Sequence, residues 1–224
     1  MKKIVLIFGV SALIFSCNSV DTSNSELSTQ MDSVSYSLGV SVANNLKSSG
    51  FETIESSAIS EAFNDVFSEN DVKISEEDAN ALIQDYFMEL SQKKSQEATN
   101  KGQAFLDENA TKDGVVTTAS GLQYQVLTEG QGAKPVASDE VTVHYHGTLI
   151  DGTVFDSSVD RGQPATFPVG GVIQGWVEAL QLMNVGSKYK LFIPSNLAYG
   201  ERGVGGSIGP NETLVFEVEL LSIN

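Results

Sequence analysis

Cysteine is almost missing from this chain: among 224 residues the only one is Cys17. No intramolecular disulfide can form, and a structural metal site built on thiolates is excluded. Histidine is nearly as scarce, with two residues. His144 and His146 stand two apart and so share one face of a strand, but no third ligand lies near them, which makes them solvated strand histidines rather than a metal site. Basic residues are the third shortage, 13 Lys and Arg against 29 Asp and Glu, for a formal net charge of −16. A chain this acidic repels phosphate backbones, which sets nucleic acid aside. A glycine-rich phosphate loop is also lacking. Gly203, Gly205, Gly206 and Gly209 have neither the preceding strand nor the following helix such a loop needs, and they read instead as a flexible pocket flap.

Long hydrophobic runs are absent too. The weakly polar run Ile4–Phe15, behind Lys2 and Lys3, would span about 18 Å as a helix against a hydrocarbon core of roughly 30 Å. That layout is an export signal rather than a membrane span. Ile14-Phe15-Ser16-Cys17 resembles a bacterial lipobox, in which the cysteine is acylated and becomes the mature N-terminus, although Phe15 departs from the small residue usual at its position. Residues 1–16 are therefore expected to be a lipoprotein signal peptide and Cys17 the lipidation site. The competing reading is an ordinary export signal with an incidental cysteine.

What is present divides by period. Residues 17–29 are mostly Ser, Thr, Asn and acids, with little to bury, as suits a flexible tether. Val34, Leu38, Val42 and Leu46 then recur every four residues, and Ile59, Ala62, Phe63, Val66 and Phe67 follow the i, i+3, i+4, i+7 pattern of an amphipathic helix. Ser75 followed by Glu76, Glu77 and Asp78 is an N-cap with acids in the first turn, where the helix dipole favours them. The third helix that starts there has an apolar stripe of Ala79, Leu82, Ile83, Tyr86, Phe87 and Leu90. From Ser91 to Gln103 that stripe disappears while helix formers continue, which predicts a helix of about 50 Å that leaves its own domain and crosses solvent. Three small helices with this much apolar surface cannot close a robust core alone, so residues 30–90 are expected to form a homodimer and residues 91–119 a linker helix and junction. The alternative is that these helices pack on the C-terminal half.

From Ser120 to the end the period is two. Leu122, Tyr124 and Val126 alternate with polar residues, as do Val141, Val143 and Tyr145, and Leu214, Phe216, Val218 and Leu220 face one way while Val215, Glu217 and Glu219 face the other. Asp151-Gly152 is a hairpin turn signal. One short helix is expected from about Gly175 to Leu182. The fold class is thus α+β: a helical N-terminal part, a long linker helix, and an antiparallel sheet over residues 120–224 wrapped around a short helix.

Five segments carry a family resemblance: Val143-His144-Tyr145-His146-Gly147, Gly152-Thr153-Val154-Phe155-Asp156-Ser157-Ser158, Val172-Ile173-Gln174-Gly175-Trp176, Ala198-Tyr199-Gly200 and Leu214-Val215-Phe216-Glu217-Val218-Glu219-Leu220. In this order and at these separations they resemble the FKBP family of peptidyl-prolyl cis-trans isomerases. Upstream, Ser35-Tyr36-Ser37-Leu38-Gly39 and Gly121-Leu122-Gln123-Tyr124 are similar to its macrophage infectivity potentiator and FkpA branch, which implies a bacterial envelope location, lipid-anchored at the outer membrane and facing the periplasm, and a homodimer through the N-terminal helices. The resemblance implies Tyr145, Phe155, Asp156, Trp176, Tyr199 and Phe216 as catalytic residues, with Trp176 as pocket floor and Phe155, Tyr145 and Phe216 as walls. It implies Arg161, Phe167, Val172, Ile173 and Ile208 as substrate-binding residues. The Ile173 N–H and the Tyr199 hydroxyl would hold substrate carbonyls. A pocket aromatic of the eukaryotic members falls on Ala165, a pocket His falls on Val204, and the loop before Val172 is about two residues shorter, which implies a looser rim.

Such a pocket needs no nucleophile, metal or cofactor. Rotating a peptide bond meets a barrier of about 18–20 kcal/mol, and uncatalysed Xaa-Pro bonds exchange over tens to hundreds of seconds. No covalent bond breaks. Water stabilises the charge-separated resonance of the planar amide, which the twisted amide has lost, so a dry apolar pocket disfavours the planar ground state. The expected function is isomerisation of proline-containing exported clients. The alternative is a holdase chaperone or adhesion module that uses the same pocket and dimer cleft without turnover. Taken singly, Trp176 would be core and Asp156–Arg161 a structural ion pair; only their combination points to a site.

Overall fold

A computed structural model describes residues 26–224. The signal segment 1–16, Cys17 and most of the tether lie outside the described residues. The chain divides into two compact units, Met1–Lys73 and Ile74–Asn224.

The first unit holds two helices, α1 (Gln30–Ser48) and α2 (Ser56–Phe67). Thr29 caps α1 through a capping box: its side chain accepts from the Asp32 N–H, and the Asp32 carboxylate accepts from the Thr29 N–H. Lys73 pairs with Glu61 of α2. Neither helix has a buried residue. Val34, Leu38, Phe63, Val66 and Phe67 stand exposed along the stripes that the sequence marks out.

In the second unit α3 (Glu76–Asn109) starts at the expected cap, the Ser75 hydroxyl accepting from the Asp78 N–H. Seven strands follow: β1 (Val115–Thr117), β2 (Gln123–Thr128), β3 (Glu140–Leu149), β4 (Val154–Ser157), β5 (Ala165–Pro168), β6 (Lys188–Ile193) and β7 (Leu214–Ile223). Between β5 and β6 lies α4 (Gln174–Leu182). The sheet runs β1-β2-β6-β7-β3-β4, every pairing antiparallel, and β5 also pairs with β3. One side of β3 is covered by β7 along its length, while the other is divided between β5 at Glu140–Val143 and β4 at His146–Thr148. Gly152, at φ 88, completes the β3–β4 turn with its N–H on the Leu149 carbonyl.

Alternation places Val141, Val143, Tyr145, Leu214, Phe216, Val218 and Leu220 on one face, where they pack with Trp176, Ala179 and Leu180 of α4 into the main core. The helix comes close because Gly175 has no side chain: a Cβ there would stand 2.4 Å from Ile193 Cγ2.

The other face of the sheet carries a second, smaller core, in which the C-terminal turns of α3 follow the alternative of packing on the C-terminal half. Leu106 of α3 packs with Phe192 and Val215, joined by Phe105, Val115 and Ile150. The polar turns of α3 therefore do not run through solvent to their end. Ala98, Gly102, Leu106 and Asn109 are buried, and the Asn109 amide donates to Gln123 Oε1, whose own amide donates to the Leu106 carbonyl. A Cβ on Gly102 would lie 2.3 Å from Thr213 Oγ1. The seat is built from small residues at helical spacing, so a search for large apolar side chains passes over it.

Candidate functional site

The main core opens at one end into a cavity of about 660 Å³. Its base is the indole of Trp176, set by the first turn of α4, and three rings meet it edge-on. Tyr145 of β3, Phe167 of β5 and Phe216 of β7 have centroids 5.4, 5.9 and 5.3 Å from it, at interplanar angles of 85°, 86° and 80°. Phe155 of β4 stands edge-on to Phe216 at 5.3 Å. Edge-to-face pairs favour one another by about 0.5–1.5 kcal/mol beyond burial, so these rings fix each other's orientation. The indole N–H is buried and has no hydrogen-bond partner among the described residues.

Strand register puts the rings together. Tyr145 and Phe216 share the inner face of the adjacent strands β3 and β7, while β4 returns Phe155 beside them. Gly147 makes the approach feasible: a Cβ there would lie 2.7 Å from the Phe155 ring and 2.8 Å from Phe216 Cε1.

The polar groups form one linked set at the rim. The Tyr145 hydroxyl donates to Asp156, Arg161 pairs with the same carboxylate, and Arg161 Nη2 donates to the Tyr145 oxygen at 2.8 Å. The guanidinium also lies 5.6 Å from the Tyr145 ring centroid. Burial pushes the Asp156 carboxyl up, but the hydrogen bonds from Tyr145 and Arg161 outweigh it and hold the group below the usual carboxylate range. Burial, and then the bond to Asp156, raise the Tyr145 phenol. Burial and the charge of Asp156 raise Tyr199. Both phenols therefore remain neutral donors around an ionised carboxylate.

Of the eleven catalytic and substrate-binding residues expected from sequence, Tyr145, Phe155, Asp156, Phe167, Val172, Ile173, Trp176, Tyr199, Ile208 and Phe216 all line this cavity. Arg161 is not in the lining and reaches it through Asp156 and Tyr145. Ile173 is the N-cap residue of α4, so its N–H precedes the helical ladder. Gly171, Val204, Gly205 and Ser207 also line the cavity; the sequence put Val204 at a pocket position and Gly205 in a flap, whereas Gly171 and Ser207 were not expected there. Val204 and Ile208 bridge each other across the glycine-rich segment, which forms the rim as a closed loop. Ala165 packs against the core outside the lining. His144 and His146 bond through Nδ1 to Ser158 and Ser157, on the strand face away from the rings.

A box of aromatic edges with a carboxylate held at its rim suits catalysis by rotation rather than by bond cleavage. Comparison with known proteins agrees. Residues 131–221 match the family model described as FKBP-type peptidyl-prolyl cis-trans isomerase, and residues 31–126 match the domain amino-terminal to it. The chain is 43% identical over 230 aligned positions to the outer membrane protein MIP of Legionella longbeachae, covering 100% of this chain and 98% of that one. It is 47% identical to the FKBP-type 22 kDa peptidyl-prolyl cis-trans isomerase of Escherichia coli, with 84% of this chain and 93% of the relative covered. The crystal structure of FkpA from Escherichia coli superposes with a TM-score of 0.72 at 36% identity, over 88% of this chain and 98% of the other.

The chain belongs to the family of FKBP-type peptidyl-prolyl cis-trans isomerases. Within it, the shared amino-terminal domain puts it on the branch of Mip and FkpA, and its activity is the isomerisation of Xaa-Pro peptide bonds. The holdase or adhesion reading is not favoured.

Proposed function

We propose that rotation of the Xaa-Pro bond takes place inside the aromatic box, with the proline ring on Trp176 and between Tyr145, Phe155 and Phe216. The observation that carries this is the coincidence of that box with the Tyr145–Asp156–Arg161 set on its rim. The rings strip water from the amide and weaken the planar form. The Tyr199 hydroxyl and the Ile173 N–H orient the carbonyls on either side. Asp156 and Arg161 keep Tyr145 in place and give the pocket mouth a fixed polarity. The test is NMR exchange on short Xaa-Pro peptides. Phe155→Ala opens the wall and is expected to lower turnover about tenfold or more, the order of effect that misplacing a substrate carries. Tyr199→Phe removes one positioning hydroxyl and should cost less. Full activity in folded Phe155→Ala protein would place the chemistry elsewhere.

The location we infer is the bacterial envelope, with a lipid on Cys17 as anchor and the outer membrane as its seat. The Lys2–Cys17 sequence and the name of the Legionella relative support it, and among the described residues no helix is long and apolar enough to cross a membrane. Cys17→Ala should then abolish lipid labelling and move the protein to the soluble fraction. Unchanged membrane association would exclude the anchor. Clients are proline-containing exported chains, and the uncovered stripes of α1 and α2 favour pairing with a second copy.

A further inference from the structure

The segment that closes the rim of the cavity is also tied to α3, on the far side of the sheet domain. Asn211 stands at φ 57, a conformation that non-glycine residues other than Asn and Asp rarely adopt. Its N–H donates to the Gly200 carbonyl at 2.8 Å, the residue directly after Tyr199. Its side-chain amide donates to Ser95 Oγ of α3 at 2.7 Å, a bond that spans 116 positions of sequence. Two residues on, Thr213 meets α3 again at Gly102, where only a hydrogen fits. Between Gly200 and Asn211 the chain forms a loop closed by the Val204–Ile208 bridge, and that loop supplies Val204, Gly205, Ser207 and Ile208 to the cavity.

We propose that Ser95 and Asn211 form a latch through which α3 positions the rim loop and Tyr199 for catalysis. Both are positioning residues, because neither lines the cavity. The loop is rich in glycine and most of its backbone bonds are internal, so a bond at its base limits how far it can drift from the cavity. The helix that joins the amino-terminal part to the isomerase domain is on this view a component of the substrate site. The proposal rests on the cavity being the isomerase site.

The full chain is compared with Ser95→Ala, Ser95→Thr and Asn211→Gly. Ser95→Ala removes the acceptor and keeps a good helix former; Ser95→Thr restores a hydroxyl; Asn211→Gly keeps the positive φ and loses only the tether. Two readouts are taken, kcat and KM on a short Xaa-Pro peptide and amide hydrogen exchange over residues 200–211. Ser95→Ala and Asn211→Gly are expected to raise KM by about two- to tenfold, the factor that one net hydrogen bond carries, with kcat little changed and exchange in the loop faster by a similar factor. Ser95→Thr should return both to the parent values, and the double variant should equal either single one. Parent-like KM and exchange in Ser95→Ala, additive effects in the double variant, or a loss confined to kcat would overturn the latch. If the full chain were inactive on peptides, the reading of the cavity would fail, while the exchange measurement would still decide the latch.

Discussion

Helices α2 and α4 are both short and carry the same kind of apolar stripe, yet they end in opposite states. Nine residues of α4 bury Gly175, Trp176, Ala179 and Leu180 under the sheet. Twelve residues of α2 bury none, and its terminal Phe67 is 87% exposed. Amphipathic spacing states that a face needs cover; it does not state who supplies it. For α4 the cover comes from the same chain. For α1 and α2, which lack it within the described residues, the proposal is a second copy of the protein.

The sharpest way to break this contrast is to cut the chain. A form beginning at Ser91 keeps the Ala98–Asn109 seat, and we expect it to be monomeric and to isomerise short peptides normally. A form beginning at Ala110 loses Leu106 and uncovers Phe192 and Val215, which should lower stability by about 3–5 kcal/mol, the range of a large deletion in a core. Light scattering and urea melts read both effects. A dimeric Ser91 form, or a full-length soluble form that is monomeric at micromolar concentration, would end the contrast.

A smaller effect tests how little slack the self-covered region has. Gly147→Ala pushes a methyl against Phe155 and Phe216. It should cost about 1–3 kcal/mol as overpacking does, and lower kcat/KM further than its loss of stability explains. Thermal melts beside peptide assays separate the two; an active, undisturbed variant would show that the box can spread.

The smallest expected effect is electrostatic. The Asp156 carboxyl is held below its ordinary range, so its ionised form favours the folded state. That contribution is present above the unfolded value near pH 4 and is lost as pH falls through the lower folded value. The pair with Arg161 is half exposed, so solvent screens it and it adds little. Melting curves of the parent and Asp156→Asn should therefore differ slightly at neutral pH and converge as the pH falls through the lowered Asp156 value. A gap that persists in acid would mean that Asp156 acts by packing.

The sequence carried the box almost whole because aromatic residues at fixed strand positions leave a dense pattern, and Ser75 announced α3 through local capping chemistry that needs no tertiary partner. It did not carry the seat of α3. Ala98 and Gly102 matter for what they lack, and the close approach at Gly102 depends on Thr213, more than a hundred positions away. The spacing Ser95, Ala98, Gly102, Leu106, Asn109 was the available signal, since each step is three or four residues. Gly147 lay inside a quoted motif, but its role is the absence of a methyl between two rings, and only the folded register reveals that.

The way β3 is shared has a consequence for a protein that handles extended chains. A long bare strand edge is a template on which unfolded segments pair and aggregate. Here one end of the sheet is the three-residue β1, and the other is the four-residue β4 with β5 beside it. Neither is long enough to seed a stable cross-strand ladder. The domain can hold a proline-bearing segment in its pocket without offering the rest of that chain a sheet to join.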